Sequence, residues 1–242
     1  MIRAIIFDLG GTLIEFNPDH LPWLEWERAG LQSAHAYLST RGYDVPERAF
    51  ERHFFEPLPE RWAQATQGQT NLKLEELMRE TCSACGLTPT ETEIQEVVAQ
   101  YIRPLDTRIE LFADTLDTLE ALRRRGLLLG LVSNTMWPGE YHRRELDRFG
   151  MTPYFEHTVF SADVGVWKPQ PDIYHLSLDA LRVSAQEAIF VGDTPQHDIV
   201  GAQGVGMRAV YKRNHALVSD TVRPDAEITH LTELLTLIEQ WE

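Results

Sequence analysis

Four short segments of this chain carry side chains able to work on a phosphoryl group. Asp8 ends an apolar run and is followed by Gly10, Gly11 and Thr12; Ser133 follows Val132; Lys168 stands before Pro169; Asp193 follows Gly192, with Asp198 a little further on. An aspartate beside glycines at a strand end can attack phosphorus and carry the group as an aspartyl-phosphate. Carboxylates held close together repel, so a cation is expected among them, and oxygen ligands with phosphate as co-ligand suit Mg²⁺. The Lys168 ammonium would screen the carboxylates and pair with the transferring group. The Ser133 hydroxyl and the backbone N–H groups around Gly10-Gly11-Thr12 would donate to its oxygens. Phosphoryl transfer asks mainly for positioning and charge neutralisation, and this set offers both. Singly, each residue has a plainer reading: Asp8 and Asp193 as turn residues, Ser133 and Asp198 as helix caps, Lys168 as a loop cation. Their joint placement favours chemistry.

The elements that must position them alternate in type. Residues 2–7 read as a buried strand. From residue 108 onward helices are expected over Asp114–Arg125, Glu140–Phe149, Asp172–Leu181 and Leu231–Gln240, with another starting at Asp198. Strands are expected over Leu127–Val132, Thr158–Ser161, Ala188–Val191, Arg208–Tyr211 and Ala226–Ile228. This alternation predicts an α/β fold, a doubly wound parallel-sheet (Rossmann-like) core covered on both faces. Ligands of such sheets bind beyond the carboxyl ends of the strands, where all four segments fall. Between residues 16 and 105 the pattern is aromatic-rich and helical. Leu31, Ala34, Tyr37 and Leu38 share one face, as do Ile94, Val97, Val98 and Tyr101. Breaks near Gly42–Pro46, Pro57–Pro59, Gly68 and Gly86–Pro89 suggest about four helices.

Taken in order, Phe7-Asp8-Leu9-Gly10-Gly11-Thr12-Leu13, Val132-Ser133-Asn134-Thr135, Lys168-Pro169-Gln170-Pro171-Asp172 and Gly192-Asp193-Thr194-Pro195-Gln196-His197-Asp198 resemble the motifs of the haloacid dehalogenase-like hydrolases. The resemblance covers nearly the whole chain. It implies a catalytic core of residues 1–15 and 106–242, and an inserted all-helical cap of residues 16–105. It makes Asp8 the nucleophile and gives Lys168 the task of orienting it. Ser133, Asn134 and Lys168, with Gly11 and Thr12, would hold the phosphoryl group. Asp8, the Gly10 carbonyl and Asp193 would bind Mg²⁺, with Asp198 supporting its water shell. The implied activity is hydrolysis of a small phosphorylated metabolite. One position departs from the family's phosphatases, which place a second, acid–base Asp two residues after the nucleophile; here it is Gly10. General acid–base catalysis is worth about 10²–10⁴-fold, so a substitute is needed, and Glu15, Asp19 and His20 lie just downstream. Phosphonatase- or dehalogenase-type hydrolysis and phosphate-ligand binding without turnover are the alternatives. The cap's one lysine, Lys73, which a phosphonatase would need, reads as a surface residue.

The composition fits a soluble globular protein of one to two domains: 242 residues, 43% hydrophobic and 24% charged. A net charge of −15 argues against a nucleic-acid binder, which needs a basic face. The chain shows neither a run of about 20 apolar residues that could span a membrane nor a secretory signal. With two cysteines only, a disulfide framework is excluded and a cytoplasmic location is expected; a monomer or homodimer is expected as the assembly. Cys82 and Cys85 read as apolar helix positions. Trp23, Trp26 and Trp62 read as helix packing in preference to pocket lining, and His197 as a solvent-facing turn residue.

Overall fold

The computed structural model describes residues 1–68, 70–214 and 221–241. The chain enters β1 (Ala4–Phe7) at once, turns through the glycines and forms the short β2 (Ile14–Glu15). Five helices follow: α1 (Trp23–Thr40), α2 (Glu47–Phe55), α3 (Leu58–Thr66), α4 (Leu74–Ala84) and α5 (Glu91–Asp106). The expected count of about four is one short, because the four predicted breaks separate five segments and each of them forms a helix. β3 (Glu110–Leu111) then pairs antiparallel with β2, a contact too short to leave a periodic signal.

From there the alternation runs α6 (Thr115–Arg124), β4 (Leu128–Ser133), α7 (Gly139–Arg148), β5 (His157–Phe160), the short α8 (Ser161–Val164), α9 (Pro171–Leu181) and β6 (Ala188–Gly192). A single wide i→i+5 turn over Pro195–Ile199 leads into α10 (Val200–Gly204), then β7 (Arg208–Lys212), β8 (Ala226–Ile228) and α11 (Glu233–Trp241). The expected helix start at Asp198 therefore falls inside the wide turn.

Six strands lie parallel in the order β5-β4-β1-β6-β7-β8. After β5 the chain crosses back past β1, so the strand order reverses beside Asp8, the kind of switch point where α/β sheets open a crevice. Residue alternation sends the two sides of each strand to different helices. Ile5, Phe7, Leu129, Leu131, Ile189 and Val191 pack toward α6, α7 and α11. Ala4, Ile6 and Phe190 pack against Ile173, Tyr174 and Leu178 of α9 and Ala202 of α10. Both faces are buried, which is why the strands read as nearly continuous apolar runs.

Local signals place the helices. Thr90 caps α5 reciprocally: its hydroxyl accepts from the Glu93 N–H, and Glu93 accepts from the Thr90 N–H. Pro171 opens α9, a position where its missing donor costs nothing. α1 lies along α5, and both join a core that also holds Phe50, Phe54 and Met78. The inserted helices also bond to the sheet's loops. The Leu74 N–H donates to the Met136 carbonyl at 2.7 Å, and Gln170 Nε2 donates to the Ala65 carbonyl at 2.9 Å. Asn71 donates to the Ala162 carbonyl and accepts from the Trp167 indole. Among the described residues no helix is long and apolar enough to cross a membrane.

Candidate active site

Asp8 leaves β1 with its N–H donating to the Val191 carbonyl at 2.9 Å, which ties it to β6. The Lys168 ammonium, buried in the loop after β5 and α8, donates to Asp8 Oδ1 at 2.5 Å and to Asp198 Oδ1 at 2.7 Å. Asp198 Oδ2 accepts from the Thr194 N–H at 2.8 Å, and Asp193 accepts from the Thr194 hydroxyl at 3.3 Å. Ligand atoms of Asp8, Asp193 and Asp198 lie within 4.8 Å of one another.

Two glycines permit this crowding. A Cβ at Gly192 would stand 2.4 Å from the Asp198 carboxyl carbon, and one at Gly11 would stand 2.1 Å from Asp193 Oδ2. Gly11 also adopts a left-handed φ of +73°, which L side chains rarely take.

Burial pushes the Asp8 carboxyl up to about 6; Lys168 opposes that shift and Asp198 adds to it. Asp193, also burial-driven, is pushed up to about 8, with Asp8 and Asp198 repelling its charge. Burial draws the Lys168 ammonium down, but Asp198 and Asp8 outweigh it and hold its pKa above the usual lysine value. Hard oxygen donors in excess of nearby positive charge fit a divalent cation. Asp193, without a lysine bonded to it, is where the excess stands.

One cavity holds most of the predicted residues. Asp8, Gly10, Gly11, Ser133, Asn134, Lys168, Asp193 and Asp198 line it together with Glu15. Several predicted donors are used differently, however. The Gly11 N–H donates to the Ile14 carbonyl at 2.7 Å and the Thr12 N–H to the Leu9 carbonyl at 3.3 Å, so the tight turn consumes both. Thr12 is fully buried, its hydroxyl has no partner among the described residues, and it does not line the cavity. The Asn134 side chain clamps the Lys168 backbone instead of facing a phosphate. Its Nδ2 donates to the Lys168 carbonyl at 2.9 Å, and its Oδ1 accepts from the Lys168 N–H at 2.8 Å.

Of the three candidate proton carriers only Glu15 lines the cavity; its carboxylate accepts from the Asn17 N–H at 3.0 Å. Asp19 is tied to Arg108 at 2.5 Å, and His20 is exposed. His197, read as a solvent-facing turn residue, lines the cavity instead. Lys73 lines a different hollow, and Cys82 is buried as expected of an apolar position.

Two contributors escaped the sequence reading. Lys212, at the end of β7, is buried; it donates to the Gly11 carbonyl at 3.2 Å and lies 3.7 Å from the centre of the Phe112 ring. The signal available was its place one residue past a predicted strand, on the same sheet edge as Asp8. Phe16 is the second: a Cβ at Gly10 would stand 2.6 Å from two carbons of its ring. Phe16 makes edge contacts with Trp26, Trp137 and His142 at 6.0–6.4 Å between centroids, so the space beside Gly10 is filled.

A second cavity, of about 220 Å³, adjoins the first and shares Phe16, Trp62, Ser133 and Asn134 with it. Trp23 and Trp26 line it with Trp62, so all three take the pocket-lining role that the sequence reading ranked second. Glu27 lines it as well. Burial pushes its carboxyl up to about 8 against a hydrogen bond with the Trp23 side chain.

A parallel sheet wound on both faces, with an aspartate, a lysine and an acidic pair at its carboxyl edge, places the chain among the doubly wound α/β proteins. A family model for haloacid dehalogenase-like hydrolases matches residues 2–206, and the chain belongs to that family. A phosphoglycolate phosphatase of Pectobacterium atrosepticum is 31% identical over 98% of this chain and 92% of its own. A phosphoserine phosphatase of Thermus thermophilus is 28% identical over 96% and 98%. Among solved structures, a HAD phosphatase from Thermococcus onnurineus matches with a TM-score of 0.69 at 25% identity, over 98% of each chain. A 2-haloacid dehalogenase from Pseudomonas syringae matches in fold at 0.72 and 24%, over the full length of both.

Glu27 yields a test by pH. Its folded-state carboxyl lies at about 8 against an ordinary 4.5, so the folded chain keeps a proton that the unfolded chain releases. That contribution is complete below 4.5 and is lost as pH rises to 8. The Tm of Glu27→Gln should therefore gain steadily on that of the parent between pH 5 and pH 8. A constant difference across this range contradicts the assignment.

Proposed function

We propose that the protein is a Mg²⁺-dependent phosphatase of a small phosphomonoester, working through a phosphoenzyme on Asp8. The observation that carries the reading is the buried Lys168 ammonium shared by Asp8 and Asp198, with Asp193 alongside. Residues 1–15 and 106–242 serve as the catalytic core, and residues 16–105 as the cap over its edge.

Lys168 holds Asp8 Oδ1, which leaves the other Asp8 oxygen to attack phosphorus. The Asp8 oxygen–phosphorus bond forms as the bond from phosphorus to the leaving oxygen breaks, and the departing alkoxide takes a proton. Water then attacks phosphorus, releasing inorganic phosphate and the Asp8 carboxylate. The Ser133 hydroxyl and the Lys168 ammonium stabilise the charge on the phosphoryl oxygens. Asp8, Asp193 and the Gly10 carbonyl, with Asp198 behind them, would hold Mg²⁺, which would supply charge neutralisation at the same oxygens. Glu15 takes the proton-carrying role that Gly10 lacks, because it alone of the three candidates shares the cavity with Asp8. The family also spans dehalogenases, yet a cluster of three carboxylates suits a cation-assisted phosphoryl site.

Phosphate release from acetyl phosphate and para-nitrophenyl phosphate should require Mg²⁺ and fall about 10³-fold or more in Asp8→Asn. No release from the unaltered protein on either substrate would sink the reading. Glu15→Gln should lower hydrolysis of an alkyl phosphate by about 10²-fold, and that of acetyl phosphate by much less, because an acyl phosphate needs no proton on its leaving group. Gly10→Asp on its own should lower Tm without raising the rate, since its side chain meets the Phe16 ring. Adding Phe16→Ala to Gly10→Asp should raise hydrolysis of an alkyl phosphate above that of Phe16→Ala alone. Equal rates would show that the missing acid does not limit turnover.

A further inference from the structure

The cavity beside the carboxylate cluster has a chemistry of its own. Its walls include Trp23, Trp26, Trp62 and Trp137, and among the described lining residues neither Lys nor Arg occurs. Glu27 is its one carboxylate. Both Glu27 and Trp26 are at least nine-tenths buried, and each keeps a polar atom, Glu27 Oε2 and Trp26 Nε1, with no hydrogen-bond partner among the described residues. The His142 ring is already engaged, by Thr135 at 2.7 Å and Glu145 at 2.8 Å. Trp23 is 45% exposed, so the cavity opens to solvent on that side.

A buried carboxyl oxygen without a partner costs free energy until something supplies positive charge or a donor, and the Trp26 N–H, itself a donor, calls for an oxygen of the same ligand. Indole faces attract organic cations through their quadrupole, and do so most strongly once the cation is desolvated. Burial alone keeps Glu27 protonated; a bound cation would draw that proton off and pair with the carboxylate, a gain that a neutral or carboxylate-bearing ligand cannot match where the walls hold no arginine or lysine. At about 220 Å³ the space is below the roughly 300–1,000 Å³ of sites for drug-sized ligands, which suits a group of a few heavy atoms. Because this cavity shares Ser133 and Asn134 with the Asp8 cavity, its occupant would be joined to the reacting phosphate.

We propose that this tryptophan-walled cavity with Glu27 at its side binds the alcohol part of the substrate, and that this part carries an alkylammonium group. The protein then hydrolyses phosphomonoesters of amino alcohols in preference to those of hydroxy acids or neutral alcohols. This rests on the phosphatase reading above for the reaction, though the cavity's preference for a cation can be measured without turnover.

Choline and its uncharged isostere 3,3-dimethylbutanol would be titrated against the protein by tryptophan fluorescence, in the parent and in Glu27→Gln. The parent should bind choline about tenfold more tightly than the isostere, and Glu27→Gln should lose most of that difference. Binding of the isostere as tight as that of choline, or no binding of choline, overturns the proposal whether or not the protein turns over phosphate esters. For turnover, kcat/KM on phosphocholine should exceed that on 3,3-dimethylbutyl phosphate and on phosphoglycolate by about tenfold. A reversed order overturns the substrate class, whereas silence on acetyl phosphate as well as on these esters indicts the phosphatase reading. Trp62→Leu offers a second variant: choline affinity should fall more than isostere affinity, and an equal fall counts against the cation.

Discussion

The Lys168 ammonium is the charge on which the rest of the site depends. Three aspartates cannot share the closed edge of a sheet as anions unless something offsets them, and burial raises the cost of each. Lys168 reaches two of them and, through its backbone, is clamped by Asn134 from the neighbouring loop. The Asn134 loop is fixed in turn: the Thr135 N–H donates to Ser161 Oγ, and Ser161 Oγ donates to the Thr135 carbonyl. Removing the ammonium would leave Asp8 and Asp198 as buried neighbours with nothing between them. The strand order, the loop clamp and the glycines that let the carboxylates approach are all arranged around that one cation.

Much of this edge was legible in the sequence because the backbone dictates residue type there. Gly192 must be glycine for Asp198 to lie against it, and Gly11 must be glycine for Asp193 to do the same. Such contacts write themselves into the chain as short fixed patterns. The buried strands were legible too, since a sheet covered on both faces needs runs of apolar residues. β2 and β3, two residues each, were not, for no periodicity can develop over that length.

Other features depend on shape, which spacing does not encode. Gly10 reads as the loss of an acid, yet the ring of Phe16 occupies the volume beside it. Nothing in the order of residues reports that a side chain six positions on folds back into that space. The tryptophans illustrate the same gap. Aromatic residues on a helix face look alike whether they meet another helix or an empty cavity, and only the fold distinguishes them. Glu27 is hidden for a similar reason: a glutamate in α1 gives no hint that its carboxylate lies buried without a full set of partners.

The tryptophan-walled cavity is built from two sources. Trp23, Trp26 and Glu27 come from α1 and Trp62 from α3, while Ser133, Thr135 and Trp137 come from the sheet edge and the loop beyond it. The groups that would recognise the alcohol are therefore separate in the chain from those that would act on the phosphate, and the chamber exists only while the two layers are apposed. Such a composite lets the recognition wall diverge by substitution on a few helical faces, leaving the reacting edge untouched. One scaffold can then acquire new substrates one wall at a time.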